Sequence, residues 1–203
     1  MFSIKTYNDS YKVDWNNFVD VSKNSTFLFK REFMDYHAEK FEDFSLLIFY
    51  NSELIALFPC NIRDGEVYSH EGLSYGGVIV KSDIKFLRYL ELFTYLLKYF
   101  DEKSINKLYI KQIPSIYNSN FNGELDYLSF IVGATIYRRD IVSVIEMKNE
   151  NKISKDRIQG YKRGKKNKLE IKETDDLDEF WNSILTPTLL NRHEVNPVHS
   201  LED

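Results

Sequence analysis

The chain contains few of the residues that cross-link a fold or break its regular elements. It has one cysteine, four prolines and eight glycines in 203 residues, so no internal disulfide can form. A chain without disulfides suits a reducing compartment, and we predict a cytoplasmic protein. Cys60 lies in the apolar run 54–62, a context that favours a small buried side chain over a reactive thiol.

Motifs for membrane insertion, metal binding and nucleotide binding are missing from the sequence. Its first residues form no apolar signal segment, and no stretch approaches the roughly 20 apolar residues of a membrane span. The four histidines have no HExxH or CxxC context, so we predict no metal site. GxSxG, Walker and GxGxxG motifs are absent too, which removes support for hydrolase, NTPase and dinucleotide-binding functions.

Aromatic residues are abundant by contrast, with 14 tyrosines and 15 phenylalanines in a chain that is 43% hydrophobic. This content supports a sizeable core in one or two domains. A net charge of −4 gives no general reason to expect nucleic acid or an anionic membrane as a partner.

Hydrophobic periodicity predicts the order β-α-α-β-β-β-α-β-α-β over residues 1–148. The segments are strand 2–7, helices 11–22 and 26–41, a strand meander over 45–80, helix 83–100, strand 105–113, helix 124–130 and strand 134–147. Such an order is typical of a mixed α/β fold in which a largely antiparallel central sheet is flanked by helices.

A second set of elements follows a linker that begins at residue 149. We predict a basic helix over 154–166, a strand over 169–172 and an amphipathic helix from residue 176 that Pro187 kinks or ends. The apolar stripe of this last helix finds no partner in the remaining sequence. We therefore expect residues 149–203 to be the truncated start of a second domain.

The most unusual segment for chemistry is 69–77 (SHEGLSYGG), where three glycines permit close backbone approach to a ligand. In it, His70 can act as a catalytic acid or base near neutral pH, and Glu71 can position it. The alternative is that the glycines form a β-bulge that turns the sheet.

Two basic clusters are candidates for binding anionic groups. Lys30 and Arg31 begin the predicted second helix and can clamp a phosphate or carboxylate, although a solvated first turn explains them too. Residues 155–168 carry seven basic residues and one acid, a local charge of +6 that leaves −10 on the rest of the chain. This stretch can bind phosphates, with Tyr161 stacking on a base or sugar, or it can be a solvated face. The −10 elsewhere makes nucleic acid an unfavoured partner.

Four segments together resemble the FemAB-like N-acyltransferases of the GNAT superfamily, specifically the subgroup found near polysaccharide biosynthesis genes. They are residues 26–37 (TFLFKREFMDYH), 69–77, Phe180-Trp181 and 193–201 (HEVNPVHSL).

This resemblance implies two tandem GNAT-like modules with an acceptor cleft between them. It implies an acyl donor in the second module, acetyl-CoA or an aminoacyl-tRNA, and an amine acceptor such as a nucleotide-linked sugar or another cell-envelope precursor. The acceptor-facing residues implied are Lys30, Arg31, His70, Tyr75, Tyr161 and Arg163. Because the second module is truncated, we expect this chain to contain no cofactor site and to have no activity alone. A non-catalytic substrate-binding or dimerisation module, with a homodimer as its assembly, is the alternative.

Overall fold

Helices cover both faces of a four-stranded antiparallel sheet in the computed structural model of this chain. The structure describes residues 1–120, 122–147 and 152–201, without the side chain of His37. The chain divides into two units, residues 1–139 and 140–203. The expected domain boundary at residues 148 and 149 lies outside the described residues.

The first unit contains two sheets whose strands are interleaved along the chain. The first sheet has the order β1 (Phe2–Thr6), β3 (Leu46–Tyr50), β4 (Glu53–Phe58) and β7 (Ile79–Val80), and every pairing in it is antiparallel. The second has the order β2 (Glu42–Asp43), β5 (Asn61–Arg63), β6 (Glu66–Tyr68) and β8 (Leu108–Tyr109), with β6 and β8 parallel.

The helices of the first unit are α1 (Lys12–Val21), α2 (Arg31–Met34), α3 (Phe86–Glu102) and α4 (Glu124–Ile131). Leu46 and Ile48 of β3 join a core cluster with α3 and α4, whereas Leu47 between them joins a second cluster with α1 and the segment 27–34. Because successive side chains of a strand point to opposite faces, a strand covered on both sides is an uninterrupted apolar run. The prediction of a mixed α/β fold with a largely antiparallel sheet flanked by helices is confirmed.

The predicted helix over 26–41 is wrong as a single element. The segment forms a 3₁₀ turn at Phe27–Phe29, the short α2 and a second 3₁₀ stretch at Asp35–Lys40. Trp15 Nε1 donates a 2.7 Å hydrogen bond to the carbonyl of Phe29, and Lys30 takes an extended conformation. A core contact therefore takes the carbonyl that a continuous helix would use.

Two predicted strands are wrong as well. Residues 134–147 and 169–172 form no strand in the structure, because no described segment pairs with them. Residues 105–113 shorten to β8 and an isolated bridge at Gln112. Local sequence patterns propose a strand, but a strand exists only where a partner accepts its backbone hydrogen bonds.

The second unit is helical where it is regular. Its α5 (Lys155–Lys166) is capped by Ser154, whose hydroxyl accepts a hydrogen bond from Arg157 N at 3.4 Å. A π-helical stretch, Phe180–Leu185, runs directly into α6 (Thr186–His193), so Pro187 does not end the helix. Thr186 N bonds to Trp181 O five residues earlier, and this wider turn carries the chain past the proline.

Cys60 is fully buried, which confirms its interpretation as a core residue. Burial raises the pKa of its thiol well above the ordinary value, and the nearby Asp43 carboxylate raises it further. The thiol therefore stays protonated and unreactive at neutral pH.

Tyr89 gives a test of the α3 core by titration. Its side chain is fully buried, and its hydroxyl has no hydrogen-bond partner among the described residues. Burial, followed by the charge of Glu124, raises the pKa of the phenol. The folded state thus keeps a proton that the unfolded chain releases above about pH 10. The stability this group contributes is present below that pH and is lost as pH rises towards the folded-state pKa, by about 1.4 kcal/mol per pH unit.

Replacing Tyr89 with phenylalanine should therefore raise the free energy of unfolding by about 1 kcal/mol at pH 7, since it removes a buried hydroxyl without a partner. The advantage should grow between about pH 10 and pH 11, as measured by urea denaturation. A variant with the same alkaline loss as the wild type would contradict this assignment.

Candidate functional site

The glycine-rich segment 69–77 leaves the second sheet and returns to it. Ser69 N donates to Tyr109 O at 2.8 Å, and Lys111 N donates to Ser69 Oγ, also at 2.8 Å. The segment that follows β8 then pairs with Gly76. The N–H of Gly76 donates to Lys111 O at 2.6 Å, beside a parallel bridge between Gly76 and Gln112. Residues 70–75 therefore form an excursion between two points of pairing, larger than a one-residue bulge.

Gly76 is required where this excursion closes. A β-carbon at this position would lie 2.1 Å from the backbone oxygen of Ser69, well inside any allowed contact. The two backbones can approach this closely only because Gly76 has no side chain.

Lys111, from the segment that follows β8, binds the backbone of the excursion through its side chain. Its ammonium donates to the carbonyl oxygens of Glu71 at 2.9 Å and Leu73 at 2.7 Å. Burial lowers the pKa of Lys111, with Arg138 acting in the same direction and Glu71 opposing it. Both carbonyls belong to the excursion, so this one amine holds its backbone in place.

His70 and Glu71 lie at the start of the excursion. His70 has a positive φ of 62°, is 4% exposed and lies with its ring centroid 5.6 Å from that of Phe41. The Glu71 carboxylate accepts from Asn61 Nδ2 at 2.9 Å and pairs with Arg63 at 2.8 Å.

Tyr75 lies at the other end of the excursion and is half-buried. Its hydroxyl donates to Thr26 Oγ1 at 3.2 Å, and its ring contacts Phe29 and Tyr117.

Lys30 and Arg31, the first of the two basic clusters, both form ion pairs with acidic residues of the chain. Lys30 Nζ lies 2.5 Å from Asp20, and it also donates to the carbonyl of Asn16 at 3.0 Å. Arg31 is 4% exposed; it pairs with Asp43 at 2.6 Å and with Asp35.

Stacking completes the environment of Arg31. Its guanidinium carbon lies 3.7 Å from the ring centroid of Tyr7. Arg31 Nε and Nη1 and the Tyr7 hydroxyl are buried without a hydrogen-bond partner among the described residues. The cation is thus packed against Tyr7, which directly follows β1, and against Trp15 of α1.

Tyr161 and Arg163 lie on α5 of the second unit and are both exposed. The ammonium of Lys165 lies 5.1 Å from the Tyr161 ring centroid. None of the basic residues of α5 forms an ion pair with another residue in the described ranges.

A cleft that sequence reasoning did not find opens beside Gly76. Its volume is about 370 Å³, within the range of small-molecule sites. Ten residues line this Gly76 cleft: Asn24, Gly76, Gln112, Ile113, Pro114, Ser115, Asn122, Leu125, Asp126 and Arg139. They come from five separate stretches of the first unit, so no local motif predicts them.

Two walls of the cleft are fixed to one another. Asn24, which is 2% exposed, donates to Val78 O at 2.8 Å and accepts from Val80 N at 2.9 Å, so it extends the edge of β7. The adjacent Lys23, also buried, pairs with Glu124 of α4 at 2.5 Å. This ion pair joins the Asn24 wall to the α4 wall, and the cleft is therefore preformed.

The opposite charges in the Gly76 cleft belong to Asp126 and Arg139. Neither forms an ion pair with any residue that the structure describes. The buried Oδ1 of Asn122 also has no hydrogen-bond partner there. The cleft therefore offers an anionic group, a cationic group and amide and hydroxyl groups to a bound molecule.

No protein-family model and no curated protein sequence matches this chain. The solved structures that it resembles include N-acetyltransferases. The ribosomal-protein-S18-alanine N-acetyltransferase from Escherichia coli has 13% identity and a TM-score of 0.39, over 53% of this chain and 64% of that one.

Two aminoglycoside acetyltransferases are matched over nearly their whole length. AAC(6′)-Iy, solved with a bisubstrate analogue, has 12% identity and a TM-score of 0.45, over 72% of this chain and 99% of that one. AAC(6′)-IG from Acinetobacter haemolyticus has 14% identity and a TM-score of 0.43, over 71% and 99%.

No helix among the described residues combines the length and apolarity needed to cross a membrane.

Proposed function

We propose that this chain takes part in transfer of an acyl group to an amine, and that the Gly76 cleft receives the amine acceptor. One observation carries the proposal. The glycine-rich segment through which the sequence resembles N-acyltransferases contributes Gly76 to a preformed polar cleft that also contains an unpaired carboxylate. Gly76 therefore belongs both to the segment that carries the resemblance and to the lining of the cleft.

The chemistry of the reaction explains why a carboxylate belongs in such a cleft. An amine substrate arrives as an ammonium ion, which Asp126 attracts and orients. The ammonium must lose a proton before it attacks the acyl carbonyl, so a proton acceptor is needed nearby. Asp126 is the one acid among the described lining residues. We keep His70 as the proposed base and Glu71 as the residue proposed to position it, although neither lines the cleft, and Tyr75 as a proposed substrate contact.

The finer identity of the substrates follows the same resemblance. The proposed donor is acetyl-CoA or an aminoacyl group, and the proposed acceptor is a nucleotide-linked amino sugar or another cell-envelope precursor. On the exposed face of α5, Arg163 is proposed to bind a phosphate of a nucleotide-linked substrate, and Tyr161 is proposed to stack on its base or sugar.

The runner-up function is a module that binds the same acceptor without catalysing its acylation. The composition of the cleft favours this alternative, because its described lining contains no imidazole, thiol or lysine amine. Such a cleft can hold a ligand but offers few groups for proton transfer at neutral pH.

Thiol release from acetyl-CoA in the presence of glucosamine separates the two functions. Against the sequence-based expectation that this chain is inactive alone, the proposal expects amine-dependent release that falls about tenfold or more in Asp126→Asn. Asp14→Asn is the matched control, since both acids are exposed in the first turn of a helix. Glucosamine binding by calorimetry without thiol release would leave the binding module as the function.

A further inference from the structure

The Gly76 cleft contains two opposite charges, and this arrangement restricts the ligand further than an amine alone. Asp126 lies in the first turn of α4, and Arg139 comes from the stretch that follows this helix. Both line one cavity of about 370 Å³, yet they form no ion pair with each other at the 4 Å limit of such a contact. A gap therefore separates them.

We infer that the cleft binds a dipolar acceptor, a small hydroxylated molecule that carries both an amine and an anionic group such as a carboxylate. The inference rests on the proposed function, because it assigns the chemical class of the acceptor at the same site.

Electrostatics disfavours ligands with a single charge. An ammonium ion gains attraction from Asp126 and suffers repulsion from Arg139 in the same small space, and an anion experiences the reverse. A ligand with both charges gains both attractions when each group faces its opposite. Guanidinium also binds carboxylate or phosphate through two parallel hydrogen bonds, which fixes the orientation of the anionic end.

The remaining lining groups suit the uncharged part of such a molecule. Amide and hydroxyl groups come from Gln112, Ser115 and Asn122. The Oδ1 atom of Asn122 is buried and accepts no hydrogen bond from any described residue. A hydroxyl group of the ligand would satisfy it, whereas an apolar ligand would leave it without a partner. Hydroxyl groups next to the two charges are therefore part of the predicted ligand.

Three compounds of similar size test the inference: glucosamine carries the amine alone, gluconate the carboxylate alone, and glucosaminate both. Calorimetry with the full chain should give a dissociation constant for glucosaminate at least about tenfold lower than for either of the others. Asp126→Asn and Arg139→Gln should each remove this preference, whereas Arg139→Lys keeps the charge and should retain part of it. A preference below about tenfold, no binding of glucosaminate, or a preference unchanged in both variants would overturn the inference.

Thiol release from acetyl-CoA distinguishes failure of the inference from failure of the proposed function. Acylation of glucosamine and glucosaminate at equal efficiency would retain the acyltransferase and refute the dipolar acceptor. Tight binding of glucosaminate without thiol release would retain the dipolar ligand and refute the acyltransferase.

Discussion

Replacement of Arg31 with alanine is expected to lower the free energy of unfolding by about 3–5 kcal/mol, the range for removing one partner of a buried ion pair. The side chain is 5% exposed, and its loss would leave Asp35 and Asp43 without their cation. The variant would also leave a cavity against the Tyr7 ring. Urea denaturation followed by tryptophan fluorescence measures the change, since Trp15 lies in the same cluster.

Lys30→Ala is the control at the neighbouring position. Its ammonium pairs with Asp20, whose side chain is mostly exposed, so the expected loss is below about 1 kcal/mol. An Arg31→Ala variant as stable as Lys30→Ala would contradict a structural role. If such a stable Arg31→Ala variant also lost glucosamine binding, the substrate clamp predicted from the sequence would be the better account of Arg31.

Replacement of Gly76 with alanine is expected to cost about 3 kcal/mol, the upper end of the usual penalty for overpacking a close contact. The new methyl group would lie 2.1 Å from Ser69 O, and a backbone atom cannot turn away as a flexible side chain can. To make room, the chain must break the hydrogen bond from Gly76 to Lys111 O or the pairing of Ser69. Because Gly76 also lines the cleft, glucosamine binding should weaken in any folded fraction.

Gly123→Ala separates this steric effect from the general effect of removing a glycine. No atom lies within 4 Å of the position its β-carbon would take, and its φ of −105° is open to any residue. Its stability should change by less than about 1 kcal/mol in either direction. Equal losses in both variants would refute the close approach at Gly76.

Some of the site was accessible from sequence because its signal is local. The density of glycine in 69–77 predicted an unusual backbone, and the structure places a closed excursion there. The pair Lys30-Arg31 stood out by charge, but the charge pattern gave no information about the partners. Arg31 is buried and forms ion pairs with Asp35 and Asp43, and Asp43 belongs to a strand of the second sheet. The Arg31–Asp35 pair has a helical spacing of four residues, but the Arg31–Asp43 pair depends on a distance between segments that spacing along the chain does not encode.

The same distinction separates the correct element predictions from the wrong ones. The sequence by itself determined the buried run of β3, the long α3 and the basic α5, because these follow from local side-chain patterns. The tertiary structure alone decided that residues 134–147 are not a strand, and that the helix predicted over 26–41 is broken at Lys30. It also brought Gly76, Asp126 and Arg139 to one cleft. The reason is physical: hydrogen-bond partners, steric neighbours and opposing charges are set by which distant segments meet.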